Sequence, residues 1–184
     1  MINNVLGPVK NAFQVELPEC ETMEEYLDAI LPRLTAFHEP LEKEGFLNVR
    51  WLEVREDDSF REVVLHIFCP GNEYLIVVDG NISKGTWKTL PGDETFILEV
   101  GGRRELYDCV FNHTDYLILK KHGNQQRHGQ PKYFFLGRET AIEGLDWSEC
   151  MQGLFDLHAN NSKFMSYLLL VGVIILIVLY FSFG

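Results

Sequence analysis

Cysteine is sparse in this chain and never closely paired. Cys20, Cys69, Cys109 and Cys150 are the only four in 184 residues, and no CxxC occurs. That spacing excludes a zinc knuckle or a thioredoxin-type redox site on pattern. In a reducing compartment four free thiols are expected, with Cys69 and Cys109 packed inside strands. Catalytic signatures are also missing. No GxSxG, HExxH, P-loop or GxGxxG is present, so no enzyme class, cofactor or metal is implied. Basic residues are the minority, 16 Lys and Arg against 27 Asp and Glu, for a net charge of −11. A chain that acidic is a poor general binder of nucleic acid or anionic lipid. The first 13 residues lack the apolar core of a signal peptide, which leaves the N-terminal part expected on the cytoplasmic side of a membrane.

Charge is absent altogether from residues 164–184. About 20 apolar residues at about 1.5 Å each match a hydrocarbon core of about 30 Å, and a helix satisfies its own backbone there. Residues 162–184 are therefore expected to be a single transmembrane anchor. Tyr167 and Tyr180 suit the two interfaces, Leu168 and Ile175 the lipid, and Gly172 is a possible close-packing point. The placement resembles that of tail-anchored proteins, which implies topology and not activity.

The remaining chain reads as one head domain over 22–161, behind an irregular segment 1–21. Thr22 and Glu25 form a capping box. It opens an apolar stripe at helical spacing over 22–44, which Pro32 should kink or divide. From residue 48 to 138 the pattern changes. Val49–Arg55, Val63–Cys69, Glu73–Asp79, Thr86–Leu90, Thr95–Val100, Leu106–Phe111, Tyr116–Lys121 and Tyr133–Gly137 are short and rich in β-branched and aromatic residues. Turn signals such as Asp79-Gly80 and Gly101-Gly102 separate them. Such tight links allow hairpins but no parallel crossovers. The fold class is α+β, mainly antiparallel β: a meander of about eight strands curling into a curved sheet or barrel. The helix should plug an end or cover an open face. Trp51, Leu65, Ile67, Ile76, Val78, Trp87, Leu98, Phe111, Ile118 and Phe135 are the expected core. A second capping box, Asp146 with Glu149, opens a juxtamembrane helix over 146–158, expected to pack on the head.

Charge is segregated along the chain. Residues 16–62 hold 14 acidic and 5 basic side chains, whereas 116–138 hold no acid and five bases. Those five, Lys120, Lys121, Arg127, Lys132 and Arg138, are candidates for contact with anionic headgroups or an acidic partner. His113, His122 and His128 fall in turns, where solvated histidines are expected rather than a metal site. His66 and Cys69, three apart on one strand, point to opposite faces and cannot pair as base and nucleophile.

Gly85-Thr-Trp87 and Thr114-Asp-Tyr116, each opening a strand, resemble the two short signatures of lipocalin-like barrels. The two stand closer together here than in that family. The resemblance implies an apolar-ligand pocket inside the barrel, with Trp87 closing one end and Phe111 and Tyr116 as candidate lining. Two functions are therefore expected from the sequence. One is a non-enzymatic, membrane-tethered interaction domain or single-span subunit with a protein partner. The alternative is a ligand- or lipid-binding barrel held at the bilayer.

Overall fold

The structure is a computed structural model, and it describes residues 20–56, 63–90, 94–123, 131–157 and 159. The expected irregular N-terminus up to residue 19, Arg127, His128 and the expected anchor with Tyr167, Leu168, Gly172, Ile175 and Tyr180 lie outside these residues. Among the described residues no helix is long and apolar enough to cross a membrane.

The chain opens with α1 (Met23–Ile30), two 3-10 turns (Leu31–Arg33 and Thr35–Phe37) and the short α2 (Lys43–Phe46). Thr22 caps α1 by accepting from the Glu25 amide at 3.2 Å. The Glu25 carboxylate returns to the amide of Glu21, one residue earlier than a capping box requires. Pro32 lies in the first 3-10 turn and ends the α-helix as expected.

Eight strands follow: β1 (Trp51–Val54), β2 (Val64–Phe68), β3 (Glu73–Val78), β4 (Asn81–Thr89), β5 (Thr95–Val100), β6 (Arg103–Asn112), β7 (Tyr116–Lys121) and β8 (Tyr133–Arg138). Each pairs antiparallel with the next, and β1 also pairs with β8, from Trp51 opposite Arg138 to Val54 opposite Phe135. The meander is thus a closed barrel, which leaves no edge strand to template aggregation. Two hairpins use two-residue turns with positive φ at both positions, Asp79-Gly80 (48° and 81°) and Gly101-Gly102 (57° and 77°). That backbone matches strand twist, and glycine adopts it at little cost. These tight turns start β4 at Asn81 and β6 at Arg103, earlier than the apolar pattern suggests. The polar stretches Asn81-Ile-Ser-Lys and Arg103-Arg-Glu are strand, though most of their residues are exposed.

Two buried layers hold the molecule. Inside one end of the barrel, Trp51, Phe68, Trp87 and Phe96 are buried. Phe46, delivered by α2, plugs this end edge-on against Phe68, Trp87 and Phe96 at 5.7, 5.2 and 5.4 Å. The Trp51 indole donates to the Phe46 carbonyl at 3.2 Å and locks the plug. Outside, α1 and the helix over 147–157 (α4, after a short α3, Glu139–Ile142) join Val54, Phe111, Tyr116, Ile118 and Phe135 in a second apolar cluster. The N-terminal helix therefore covers an outer wall rather than an end. Asp146 and Glu149 cap α4 reciprocally, at 2.8 and 2.9 Å. α4 packs on the head as expected, with Gly153 set against the Tyr116 hydroxyl where a Cβ would not fit.

Seven of the ten expected core residues are buried; Ile67, Ile76 and Val78 are only half-buried. Cys69 follows β2 instead of lying in it and is half-buried, whereas Cys109 is buried in β6. Phe46→Ala should cost about 3–5 kcal/mol, because three aromatic neighbours lose their partner in a site that cannot collapse. Gly85→Ala should cost about 1–3 kcal/mol, since its Cβ would strike the Glu99 carbonyl. Denaturant midpoints of the two variants check both values.

Candidate functional site: a polar hollow in the open half of the barrel

Side chains on a strand alternate between faces, so the inward positions follow from the packed end. In phase with Trp51 on β1 is Glu53, and in phase with Phe68 on β2 is His66. Tyr74 and Ile76 follow on β3, Leu98 and Val100 on β5, Glu105 and Tyr107 on β6. Away from the aromatic plug the interior therefore becomes polar and incompletely filled. A cavity of about 550 Å³ lies there, lined by Glu53, Tyr74, Ile76, Leu98, Val100, Glu105, Tyr107, Lys121 and Phe134, with Gly101, Arg103, Pro131 and Tyr133 also on its wall. An eight-strand barrel has room for side chains or for one small ligand, and this one divides its interior between the two.

The polar groups form two linked sets. In the first, Glu53 Oε2 lies 3.1 Å from His66 Nε2, and His66 Nδ1 lies 2.6 Å from the Tyr74 hydroxyl. Arg55 also donates to Glu53, at 2.7 Å. Burial opposes ionisation of Glu53, but the bonds from His66 and Arg55 outweigh it and hold the carboxyl below the usual range. An ionised carboxylate only accepts, so His66 Nε2 carries a proton. On a neutral ring Nδ1 is then the acceptor, and Tyr74 donates to it. Burial, then the charge of Glu53, pushes the Tyr74 phenol well above its ordinary value. In the second set, Tyr107 donates to Glu105 at 2.6 Å and the Lys121 ammonium lies 3.5 Å from Glu105. Burial and Glu105 raise the Tyr107 phenol as well. Phe134 stands edge-on to His66 at 4.9 Å and tilted to Tyr107 at 5.8 Å, bridging the two sets.

No activated nucleophile accompanies these groups among the described residues. Burial, then Glu94, pushes Cys109 up to about 12, and burial, then Asp146 and Glu149, does the same for Cys150. Both remain thiols, which are unreactive. No three His, Cys, Asp or Glu among the described residues are grouped as a metal site requires. His122 Nδ1 bonds Asp108 at 2.7 Å, while His113 stacks on Phe111.

The candidate residues from sequence are dispersed. Lys121 points into the barrel beside Glu105. Lys132 bonds Asp28 of α1 at 2.6 Å, joining the basic stretch to the acidic one. Arg138 lies at the plugged end, where it donates to the Thr114 carbonyl at 2.8 Å and sits over the Trp51 ring. Lys120 is half-buried opposite Tyr133. Trp87 lies in the aromatic plug and donates to the Cys69 carbonyl at 2.8 Å. Phe111 and Tyr116 face the outer cluster and line no part of the cavity. The reason for Phe111 is a bulge. Cys109 pairs with Leu119 but Phe111 with Ile118, so the extra residue Val110 turns Phe111 from the inner to the outer face.

Sequence reasoning finds neither Glu53, Tyr74, Glu105 nor Tyr107, and His66 enters it only beside Cys69. Their signal is a polar residue in phase with buried aromatics on the same strand. Compared with family models, curated proteins and solved structures, the chain matches none.

Glu53 gives a pH test. Its carboxyl is held below the ordinary value of 4.5, so its stabilising contribution is complete above that pH. It is lost as pH falls through the lower folded value. Glu53→Gln should therefore flatten the fall in stability below about pH 4.5, read as denaturant midpoints across a pH series. An unchanged acid limb would show that the carboxylate is not so held.

Proposed function

We propose that this protein is a binding barrel for one small amphipathic molecule, held at a membrane by its C-terminal segment. The observation that carries the reading is the cavity of about 550 Å³ inside a closed barrel. Its size falls in the range of about 300–1,000 Å³ common to small-molecule sites. Ile76, Leu98, Val100 and Phe134 offer apolar wall for a tail, and the two tyrosine sets offer fixed polar contacts for a head. The charge-free run over 164–184 supports the membrane part. An amphipathic ligand would be concentrated there.

A tethered interaction domain without a ligand has less support. Of its five candidate contact residues, Lys121, Lys132 and Arg138 are engaged with Glu105, Asp28 and Asp115 of the same chain. Nothing in the chemistry of the hollow requires turnover, so the proposal is binding rather than catalysis.

Filling the hollow tests it. Ile76 is half-buried and lines the cavity, so Ile76→Trp adds bulk where there is space. The full chain in lipid nanodiscs should bind an uncharged naphthylamine dye saturably, with empty nanodiscs as the blank. Ile76→Trp should weaken that binding at least about tenfold with little change in thermal stability. Equal binding by both proteins would place the dye elsewhere and remove the support for a cavity ligand.

A further inference from the structure

The hydrogen-bond polarity of the hollow is more specific than its size. With the His66 ring neutral, the Tyr74 hydroxyl, 2.6 Å from His66 Nδ1, directs its proton there, and the Tyr107 proton is directed at Glu105. A phenol that has committed its proton presents only lone pairs to a ligand. The Glu105 carboxylate adds acceptor oxygens, and Glu53 is likewise acceptor-only. Lys121 is the donor facing this set from β7, and its ammonium is directed at Glu105. A carboxylate or phosphate head would have to draw Lys121 from Glu105 and lie against two tyrosine oxygens and two carboxylates. An ammonium head would instead satisfy the acceptors, with the faces of Tyr107 and Phe134 nearby for cation–π contact. Arg103 is exposed at the β5–β6 turn and marks the rim rather than the floor.

Resting on the ligand-binding reading above, we propose that the hollow selects an amphiphile whose head donates hydrogen bonds, a long-chain amine rather than a fatty acid. The tail lies along Leu98, Val100 and Ile76, and the nitrogen donates to the oxygens of Tyr74 and Tyr107. The bond between Glu53 and His66 acts at one remove. It fixes the imidazole tautomer, and so keeps the Tyr74 proton turned away from the ligand. His66 and Glu53 are positioning residues in this scheme.

Matched probes test it. The full chain in neutral-lipid nanodiscs is titrated calorimetrically with octylammonium and with octanoate. The titrations are run at mildly alkaline pH, where an imidazole is ordinarily neutral, with empty nanodiscs as the blank. The acidic chain attracts any cation, so the comparison is made in high salt, where long-range attraction is screened. It is repeated with Tyr74→Phe, which leaves the charge unchanged. Octylammonium should bind at least about tenfold more tightly than octanoate, and Tyr74→Phe, which removes one of the acceptor oxygens, should reduce that preference. Should Tyr74→Phe fail to fold, the high-salt preference of the native chain decides alone. Equal binding, or tighter octanoate binding, overturns the amine assignment and leaves the cavity reading standing. Binding of neither probe, with the dye also unbound, overturns the cavity reading itself.

Discussion

Closure of the strand ring is the constraint on which everything else depends. β1 is only four residues long, yet it pairs with β8 along its whole length and with β2 at Trp51 and Leu52. Those pairs turn an open meander into a cylinder whose width is set by strand number. A cylinder of eight strands cannot be emptied or overfilled freely: its inward side chains either interdigitate across the axis or leave a hollow. Here both happen. Large aromatics and the Phe46 plug fill one half. In the other half hydrogen-bonded Glu, His and Tyr share the inward positions with Ile76, Leu98, Val100 and Phe134, and space is left between them.

The second apolar cluster makes the walls rigid enough for that hollow to persist. α1 and α4 lie over β1, β7 and β8, so those strands are buried on both faces, as the near-continuous apolar runs of β7 and β8 require. Gly137 lets Ile142 approach the sheet, and Gly153 lets α4 settle on Tyr116. The polar hollow thus stands on a wall backed by packed helices. Glu53, His66, Tyr74, Glu105 and Tyr107, which carry its hydrogen bonds, stand on strands rather than on loops, which favours fixed geometry in a binding site.

Much of the fold was legible because each strand carries its own β-formers and each hairpin its own turn chemistry. Asp79-Gly80 and Gly101-Gly102 mark their turns, and Pro32 its helix end. What was hidden follows from exposure and from register. The first halves of β4 and β6 are polar because water reaches them, so no apolar alternation marks them as strand. Phe111 was misplaced because a bulge is one extra residue without a sequence signature of its own. The candidate site was hidden for a different reason. Glu53, His66 and Tyr107 look like ordinary polar or aromatic strand residues until the ring closes and their phase with Trp51, Phe68 and Cys109 turns them inward. The basic stretch misleads in the opposite sense: strand alternation sends Lys121 into the barrel, while Lys132 meets α1 and Arg138 lies at the plugged end.

The proposed function joins the hollow to the charge-free run at residues 164–184: a site for an amphiphile, held where amphiphiles collect. The most direct test of the central claim is a crystal structure of the full chain grown with octylammonium. The account predicts density for one molecule inside the ring, its nitrogen within hydrogen-bond reach of the Tyr74 and Tyr107 oxygens and its tail against Leu98 and Val100. A ring whose open half is closed by Phe134 and Tyr107 packed across the axis, with the amine bound outside or absent, would contradict it.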